Sequence, residues 1–110
     1  MQIASRISEG YTIFDISGDI DLAHSPQMRK ALLGEIKEKR VPKVFLNLKN
    51  VRYIDSSGIA SLVEGLKASR DTGSRLILYS LSTSVREVMQ LSRLQKIFEI
   101  FEDEQQALAS

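Results

Sequence analysis

The sequence of 110 residues contains no cysteine and only one histidine, and both scarcities exclude classes of site. Without cysteine there is no disulfide, no thiolate ligand for zinc and no cysteine nucleophile. One histidine cannot form an all-histidine metal site within one chain. The two prolines, Pro26 and Pro42, stand singly, so no proline-rich linker divides the chain. We therefore expect a single domain over residues 1–110 and no bound metal.

Neither sign of charge is in excess, since 15 basic and 14 acidic residues leave a formal net charge of +1. A dedicated nucleic-acid-binding domain would carry a strong positive field, so we expect no direct contact with nucleic acid. No apolar run approaches the roughly 18–20 residues that span a bilayer. The N-terminus also lacks the basic and apolar segments of a secretion signal. The sequence therefore predicts a cytoplasmic protein without membrane insertion.

Hydrophobic periodicity predicts strands and helices in the order ββαβαβαβα. The first two strands are joined by a tight turn at Glu9 and Gly10, and the second strand covers residues 11–17. A helix capped by Ser25 follows and ends near residue 39. The later elements are predicted as a buried strand at 43–48, a helix from the turn at 55–58 to 72–73, a strand at 75–79, a helix capped by Ser82 or Ser84, a strand at 97–101 and a helix at 102–109. This order is typical of an α/β fold in which helices pack on a mostly parallel sheet with an antiparallel hairpin at its edge.

The turn Asp55-Ser56-Ser57-Gly58 lies between the buried strand and the most clearly predicted helix. Partners of such sheets usually contact the loops that follow the carboxyl ends of the strands. Free N–H groups and the positive end of the dipole at a helix N-terminus favour added negative charge. The residues alone leave two interpretations open. Either a serine caps the helix while Gly58 permits close packing, or a serine accepts a phosphate group.

Motifs for catalysis and for nucleotide binding are missing. No glycine lies two residues before Ser56 or Ser57, as a G-x-S-x-G hydrolase would require, and His24 alone completes no triad. Neither G-x-x-x-x-G-K-[ST] nor G-x-G-x-x-G occurs. The one basic cluster, residues 37–43, lies at a predicted helix C-terminus, where solvated cations are favoured. We therefore expect a protein that is not an enzyme, has no catalytic residues and needs no cofactor.

Four segments, taken in order and with their spacing, resemble the STAS domain family over nearly the whole chain. They are GDIDLAHSP at 18–26, VFLNL at 44–48, VRYIDSSGI at 51–59 and LSRLQKIF at 91–98. The likeness is greatest to the small stand-alone anti-sigma factor antagonists of bacterial partner-switching systems. It implies the STAS version of the α/β fold.

The resemblance also implies a regulatory cycle. In that family the unmodified antagonist binds an anti-sigma factor that is an ATP-dependent serine kinase, and so releases the sigma factor. The kinase phosphorylates the antagonist, and a PP2C-type phosphatase restores it. The modified serine directly follows the aspartate of a D-S-[ST]-G turn, which makes Ser56 the expected phosphorylation site and Ser57 its structural neighbour.

The expected partner surface extends beyond this turn. The resemblance brings the 18–25 loop near Asp55, so Asp21 is the candidate for partner contact there; a solvated turn carboxylate is the alternative. The outer face of the following helix is expected to begin with the small residues Ala60 and Ser61, which would let another protein approach closely or would simply fill a helix. The expected partner-binding residues are Asp21, Asp55, Ser56, Ser57, Gly58, Ile59, Ala60 and Ser61.

Two other functions remain open at this point. A STAS accessory subunit of a membrane transporter, such as a lipid-trafficking ABC complex, would use the same helix to clamp a permease or ATPase. Co-purification with membranes would favour that function. The other function is that of an enzyme or a nucleotide-binding regulator, although the sequence lacks every motif considered above. Tight nucleotide binding by the isolated protein would favour that function.

Overall fold

The computed structural model describes all residues, 1–110, and contains one five-stranded sheet. Its strands lie side by side in chain order: β1 Gln2–Ser8, β2 Tyr11–Ile20, β3 Lys43–Ile54, β4 Arg75–Tyr79 and β5 Glu99–Phe101. β1 pairs antiparallel with β2, and every other neighbouring pair is parallel. The predicted α/β fold with an antiparallel edge is confirmed.

Four α-helices connect or follow the strands: α1 Ser25–Leu33, α2 Ser56–Thr72, α3 Thr83–Leu91 and α4 Glu104–Leu108. The helix predicted to reach residue 39 is α-helical only to Leu33 and continues as a π-helical segment, Gly34–Glu38. A short 3-10 helix, Leu94–Lys96, precedes β5. None of these helices has both the length and the apolar content needed to cross a membrane.

The core lies on both faces of the sheet. Val44, Phe45 and Leu46 in β3 are fully buried in succession, as expected for a strand covered on both sides. The larger hydrophobic cluster joins one face of the sheet to α1, α2 and α3. A smaller cluster on the other face includes Phe45 and is covered by α4 through Ala107.

Strands β2 and β3 both run farther than the sequence predicts. β2 continues to Ile20 instead of residue 17, and β3 continues to Ile54 instead of residue 48. Register shifts between Asp15 and Ser17 and again after Gly18 interrupt the pairing, and Gly18 has a φ of +87°. Such irregularities break the alternation by which strands are recognised in a sequence. The extension of β3 leaves only Asp55 between the sheet and α2, so the sheet positions the start of α2 directly.

The prediction that Ser25 caps α1 is wrong. His24 is the N-cap residue and makes no capping hydrogen bond with its side chain, while Ser25 is the first helical residue and is buried. Asp21 provides the hydrogen bonds that a capping side chain would otherwise make. Its carbonyl oxygen accepts from the N–H groups of His24 at 3.1 Å and Ser25 at 2.7 Å. At α3, one of the two predicted caps is found, since Ser82 Oγ accepts from the Val85 N–H at 3.3 Å.

Candidate functional site

Asp55 is the N-cap residue of α2. Its backbone is extended, and its Oδ1 accepts hydrogen bonds from the N–H groups of Ser57 at 2.9 Å and Gly58 at 3.1 Å. The interpretation in which Ser56 or Ser57 caps this helix is therefore wrong, because the carboxylate performs that role. Neither serine hydroxyl takes part in the cap.

The same carboxylate ties the start of α2 to the loop that follows β2. Asp55 Oδ2 accepts a hydrogen bond from the N–H of Leu22 at 3.2 Å, and the Asp55 N–H donates to the carbonyl oxygen of Ile20 at 3.2 Å. The 21–24 loop and the Asp55–Gly58 turn therefore form one connected surface. Asp21, next to Leu22, is half-buried at its edge.

Gly58 lets α2 approach the sheet closely. A Cβ atom at this position would lie 2.6 Å from the carbonyl oxygen of Ile20 and 2.7 Å from Cγ1 of Ile54. Both distances are far shorter than ordinary contacts, so only glycine fits without a shift of the backbone. Gly58 is also buried. It supports the turn from within and offers no side chain to a partner.

The remaining residues of the expected partner set differ in exposure. Ser56, the first residue of α2, and Ala60 are exposed, whereas Ser57 and Ile59 are half-buried. The expectation that Ser61 lies on the outer face of α2 is wrong. Ser61 is buried, and its Oγ donates to the carbonyl oxygen of Ser25 at 3.4 Å, so it packs between α2 and α1.

Two further aspartates near the turn are ionised, and one of them is paired with an arginine. Arg52 donates two hydrogen bonds to Asp19, from Nε at 2.9 Å and Nη2 at 3.0 Å, and they hold the pKa of Asp19 below its usual value. Partial desolvation raises the pKa of Asp21, but hydrogen bonds from the ring and the N–H of His24 outweigh it, so the pKa lies below its usual value. Both carboxylates are therefore ionised at neutral pH.

Two exposed apolar side chains adjoin the turn and were missed by the sequence reasoning. Leu22 is 74% exposed, and Tyr53, two residues before Asp55, is 50% exposed. Both stand in segments outside the strands and helices predicted from the sequence, and the only sequence signal for them is an apolar residue among polar ones. Exposed aromatic and aliphatic side chains beside a polar turn are typical of protein interfaces. The Ser56 surface is defined here as Asp21, Leu22, Tyr53, Ser56, Ser57, Ile59 and Ala60.

Comparison with known proteins identifies relatives along almost the whole chain. The family model described as the STAS domain matches residues 2–107. The "Anti-sigma F factor antagonist" of Paenibacillus polymyxa is 27% identical over 108 residues, which cover 98% of this chain and 92% of that protein. The "Anti-sigma-B factor antagonist" of Listeria monocytogenes serovar 1/2a is 31% identical over 101 residues, which cover 91% of this chain and 86% of that protein. Both proteins are aligned over nearly their entire length.

Solved structures share the fold. The anti-sigma factor antagonist SpoIIAA in its unphosphorylated form superposes with a TM-score of 0.81 at 21% identity, covering 97% of this chain and 93% of that one. The Bacillus cell fate determinant SpoIIAA in the phosphorylated form gives a TM-score of 0.75 at 20% identity, covering 98% and 97%. At these identities the likeness shows the architecture, including the sheet that carries the Ser56 surface.

Proposed function

Because this chain belongs to the STAS domain family, we propose that it is a cytoplasmic anti-sigma factor antagonist that acts without catalysing a reaction. Residues 1–110 form one domain whose Ser56 surface binds an anti-sigma factor, itself a serine kinase, and so releases the sigma factor. Phosphorylation of Ser56 by that kinase ends the binding, and a PP2C-type phosphatase reverses it. Relatives named as antagonists of anti-sigma factors support this class of partner.

The observation that carries the proposal is the position of the Ser56 hydroxyl. Ser56 is exposed at the first position of α2, and Asp55 supplies the helix cap, so the hydroxyl is not needed for folding. A kinase can reach Ser56 Oγ without opening the helix. The γ-phosphoryl group of ATP is transferred to Oγ, the hydroxyl proton is lost and ADP leaves. Ser57 is a poorer acceptor because it is half-buried.

Charge explains how one phosphate would end binding. A phosphoserine carries about −1.5 to −2 charge at pH 7, which exceeds the formal +1 of the whole chain. The N–H groups of Ser57 and Gly58 already bind Asp55, and Arg52 already binds Asp19. The phosphate would therefore remain largely uncompensated and face the partner. A partner surface fitted to a neutral hydroxyl would have to desolvate this dianion beside existing carboxylates.

Apolar residues around Ser56 supply binding energy in the unmodified state. Leu22 and Tyr53 are the exposed large apolar side chains of this surface, Ile59 is half-buried, and Ala60 is small enough for close approach. A specific complex buries about 800 Å² on each partner, so contacts must extend from the turn across the 21–24 loop. The surface thus combines an apolar region with one hydroxyl whose charge state can change.

The test is capture of the kinase on the purified chain, with and without ATP, followed by mapping of phosphorylated residues. We expect a protein with serine kinase activity to be retained without ATP and released when ATP is added, with phosphate on Ser56. Ser56→Ala should retain the kinase in both conditions, whereas the matched control Ser57→Ala should still become phosphorylated on Ser56 and release the kinase when ATP is added. Phosphate found only on Ser57 would overturn the site. Capture of a permease or transporter ATPase instead would favour the transporter subunit.

A further inference from the structure

Strand β1 is one edge of the sheet, and its outer side is unpaired. Only β2 lies beside it, and none of the backbone hydrogen bonds in turns, loops and caps involves residues 2–8. β5, at the other edge, has three residues, and such a short strand offers little to pair with. β1 has seven residues, so its outer side presents a row of free N–H and C=O groups. We call this row the open edge.

The turn after β1 determines which backbone groups face outward. Glu9 and Gly10 have φ values of +53° and +83°, so the hairpin closes in a type I′ turn between Ser8 and Tyr11. Ser8 and Tyr11 are therefore a hydrogen-bonded pair, and such pairs alternate along an antiparallel ladder with pairs that share no hydrogen bond. The residues of β1 in the second kind of pair direct their N–H and C=O groups to the open edge; they are Ile3, Ser5 and Ile7.

β1 lacks the features that usually keep an edge strand from pairing with another chain. Its sequence contains no proline and no lysine, and its register with β2 is continuous, without a bulge. Its one charged residue, Arg6, is directed away from the open edge, because the guanidinium group donates to Asp15 of β2 and Glu104 of α4. Ile7, in contrast, is an apolar side chain that is 70% exposed. The open edge is therefore suited to contact with a further strand.

We propose that two copies of this chain form a dimer in which their β1 strands pair antiparallel about a two-fold axis at Ser5. Ile7 of each copy lies opposite Ile3 of the other, and the two Ser5 residues lie opposite each other. All three pairs consist of residues whose backbone groups face outward, so they exchange about six hydrogen bonds, two in each pair. Ile7 also gains an apolar neighbour, since Ile3 is half-buried against the larger hydrophobic cluster.

Charge and strand length select this register over its neighbours. A two-fold axis at Arg6 would set the two Arg6 residues opposite each other, and like charges in directly opposed positions destabilise a sheet. An axis at Ala4 would leave Ile7 opposite Met1, which lies outside the strand. The axis at Ser5 pairs all of β1 and places Arg6 opposite the small, uncharged Ala4. β1 is therefore complementary to itself in one register.

The dimer is reversible and leaves the Ser56 surface free. A single pair of strands buries less than the roughly 800 Å² on each partner that a standard interface buries, so the association is weak. No residue of β1 belongs to the Ser56 surface. Because the paired strands run in opposite directions, the Ser56 surfaces of the two copies lie at opposite ends of the joined sheet. Each copy can therefore bind its own partner, and the inference does not depend on the proposed function.

Sedimentation equilibrium of the purified chain measures the dimerisation directly. We expect mostly monomer at about 5 μM and mostly dimer at about 500 μM, as for a weak interface. Ile7→Lys should weaken dimerisation about tenfold, because lysine on an edge strand opposes pairing and the change occurs twice in the dimer. The matched control Leu91→Lys, at a residue of α3 that is 87% exposed, should dimerise like the unaltered chain. An unaltered chain that stays monomeric at about 500 μM, or equal dimerisation by the two variants, would overturn the proposal.

Disulfide trapping tests the register, since the chain has no cysteine and each variant carries a single thiol. Cα atoms in a hydrogen-bonded pair are about 5.5 Å apart, a distance that a disulfide spans. Ser5→Cys should therefore form a covalent dimer under mild oxidation. Gln2→Cys, exposed on the same strand, is the matched control. Gln2 faces Ser8 of the second copy, so its two added thiols lie roughly 20 Å apart and should not be trapped. Trapping of Gln2→Cys as fast as Ser5→Cys, or of neither, would overturn the proposal.

Discussion

Replacement of Gly58 by alanine tests whether close packing at this glycine positions the start of α2. The added Cβ atom would lie 2.6 Å from the carbonyl oxygen of Ile20 and 2.8 Å from Cγ2 of the same residue. Ordinary carbon contacts begin near 3.5 Å, so α2 or β2 must move by somewhat less than 1 Å. The Ile20 carbonyl oxygen also accepts the Asp55 N–H, so this movement would strain the hydrogen bond that joins the two segments.

The magnitude follows from two opposing effects. Overpacking of a rigid site typically costs about 1–3 kcal/mol. The cost at Gly58 should lie at the upper end of this range, because the atom nearest to the added Cβ is the backbone oxygen of Ile20. Alanine recovers up to about 1 kcal/mol through its higher helix propensity. We expect Gly58→Ala to lower the free energy of unfolding by about 2 kcal/mol. For a domain of this size that corresponds to a fall in Tm of about 8–16 °C.

The assay is urea denaturation followed by circular dichroism, with Gly34→Ala as the matched control. A Cβ atom at Gly34 meets nothing within 4 Å, and φ there is −60°, so the control should be as stable as the unaltered chain or more stable by up to about 1 kcal/mol. Gly58→Ala with unchanged or increased stability and an unchanged m-value would refute the packing argument.

Three further predictions concern the cap, the partner surface and acid stability. Asp55→Ala should lower the free energy of unfolding by about 1–2 kcal/mol, because the cap of α2 is lost; urea denaturation measures it, and no change would contradict the capping role. Leu22→Ala should weaken kinase binding about tenfold without altering Tm. The control Leu91→Ala, at a residue that is 87% exposed and outside the Ser56 surface, should leave kinase binding unchanged. Calorimetric titration measures both affinities, and equal losses would show that Leu22 is not in the interface. Hydrogen bonds from Arg6 lower the pKa of Asp15 in the folded protein. The ionised Asp15 carboxylate therefore contributes its full stabilisation of the fold above the usual pKa of about 4, and this contribution is lost as pH falls through the lowered pKa of the folded state. Between neutral and acid pH, the free energy of unfolding of Arg6→Gln should therefore fall less than that of the unaltered chain. Equal falls in the two proteins would exclude the Arg6–Asp15 pair as a source of acid-sensitive stability.

The sequence predicts the fold well where local patterns are regular. The bounds of β4 agree with prediction, and α2 ends at Thr72 because Gly73 adopts a left-handed conformation at its C-cap. The far ends of β2 and β3 were missed since register shifts disturb the alternation of side chains. The π-helical turn at Gly34 was missed because its apolar pattern is close to that of an α-helix.

At the candidate site, the sequence predicts the turn but not which of its residues caps α2. Serine and aspartate are both strong N-cap residues, so the sequence alone could not decide between Asp55 and the serines after it. The burial of Ser61 depends on how α2 packs against α1, which helical periodicity does not specify. The exposure of Tyr53 depends on the extension of β3. The burial of Ser61 and the exposure of Tyr53 both depend on how the helices and strands pack together, which the local sequence pattern does not specify.

The most direct test of the proposed switch compares the affinity of the purified kinase partner for the unmodified chain and for the chain phosphorylated only on Ser56. Conversion of a complex from 99:1 to 1:99 requires a change in affinity of about 10⁴-fold, or about 5.5 kcal/mol. The amide NMR spectrum of each form reports whether the backbone changes. We predict a loss of affinity of that order, with spectral changes confined to the Ser56 surface. Undiminished binding of the phosphorylated chain would contradict the account.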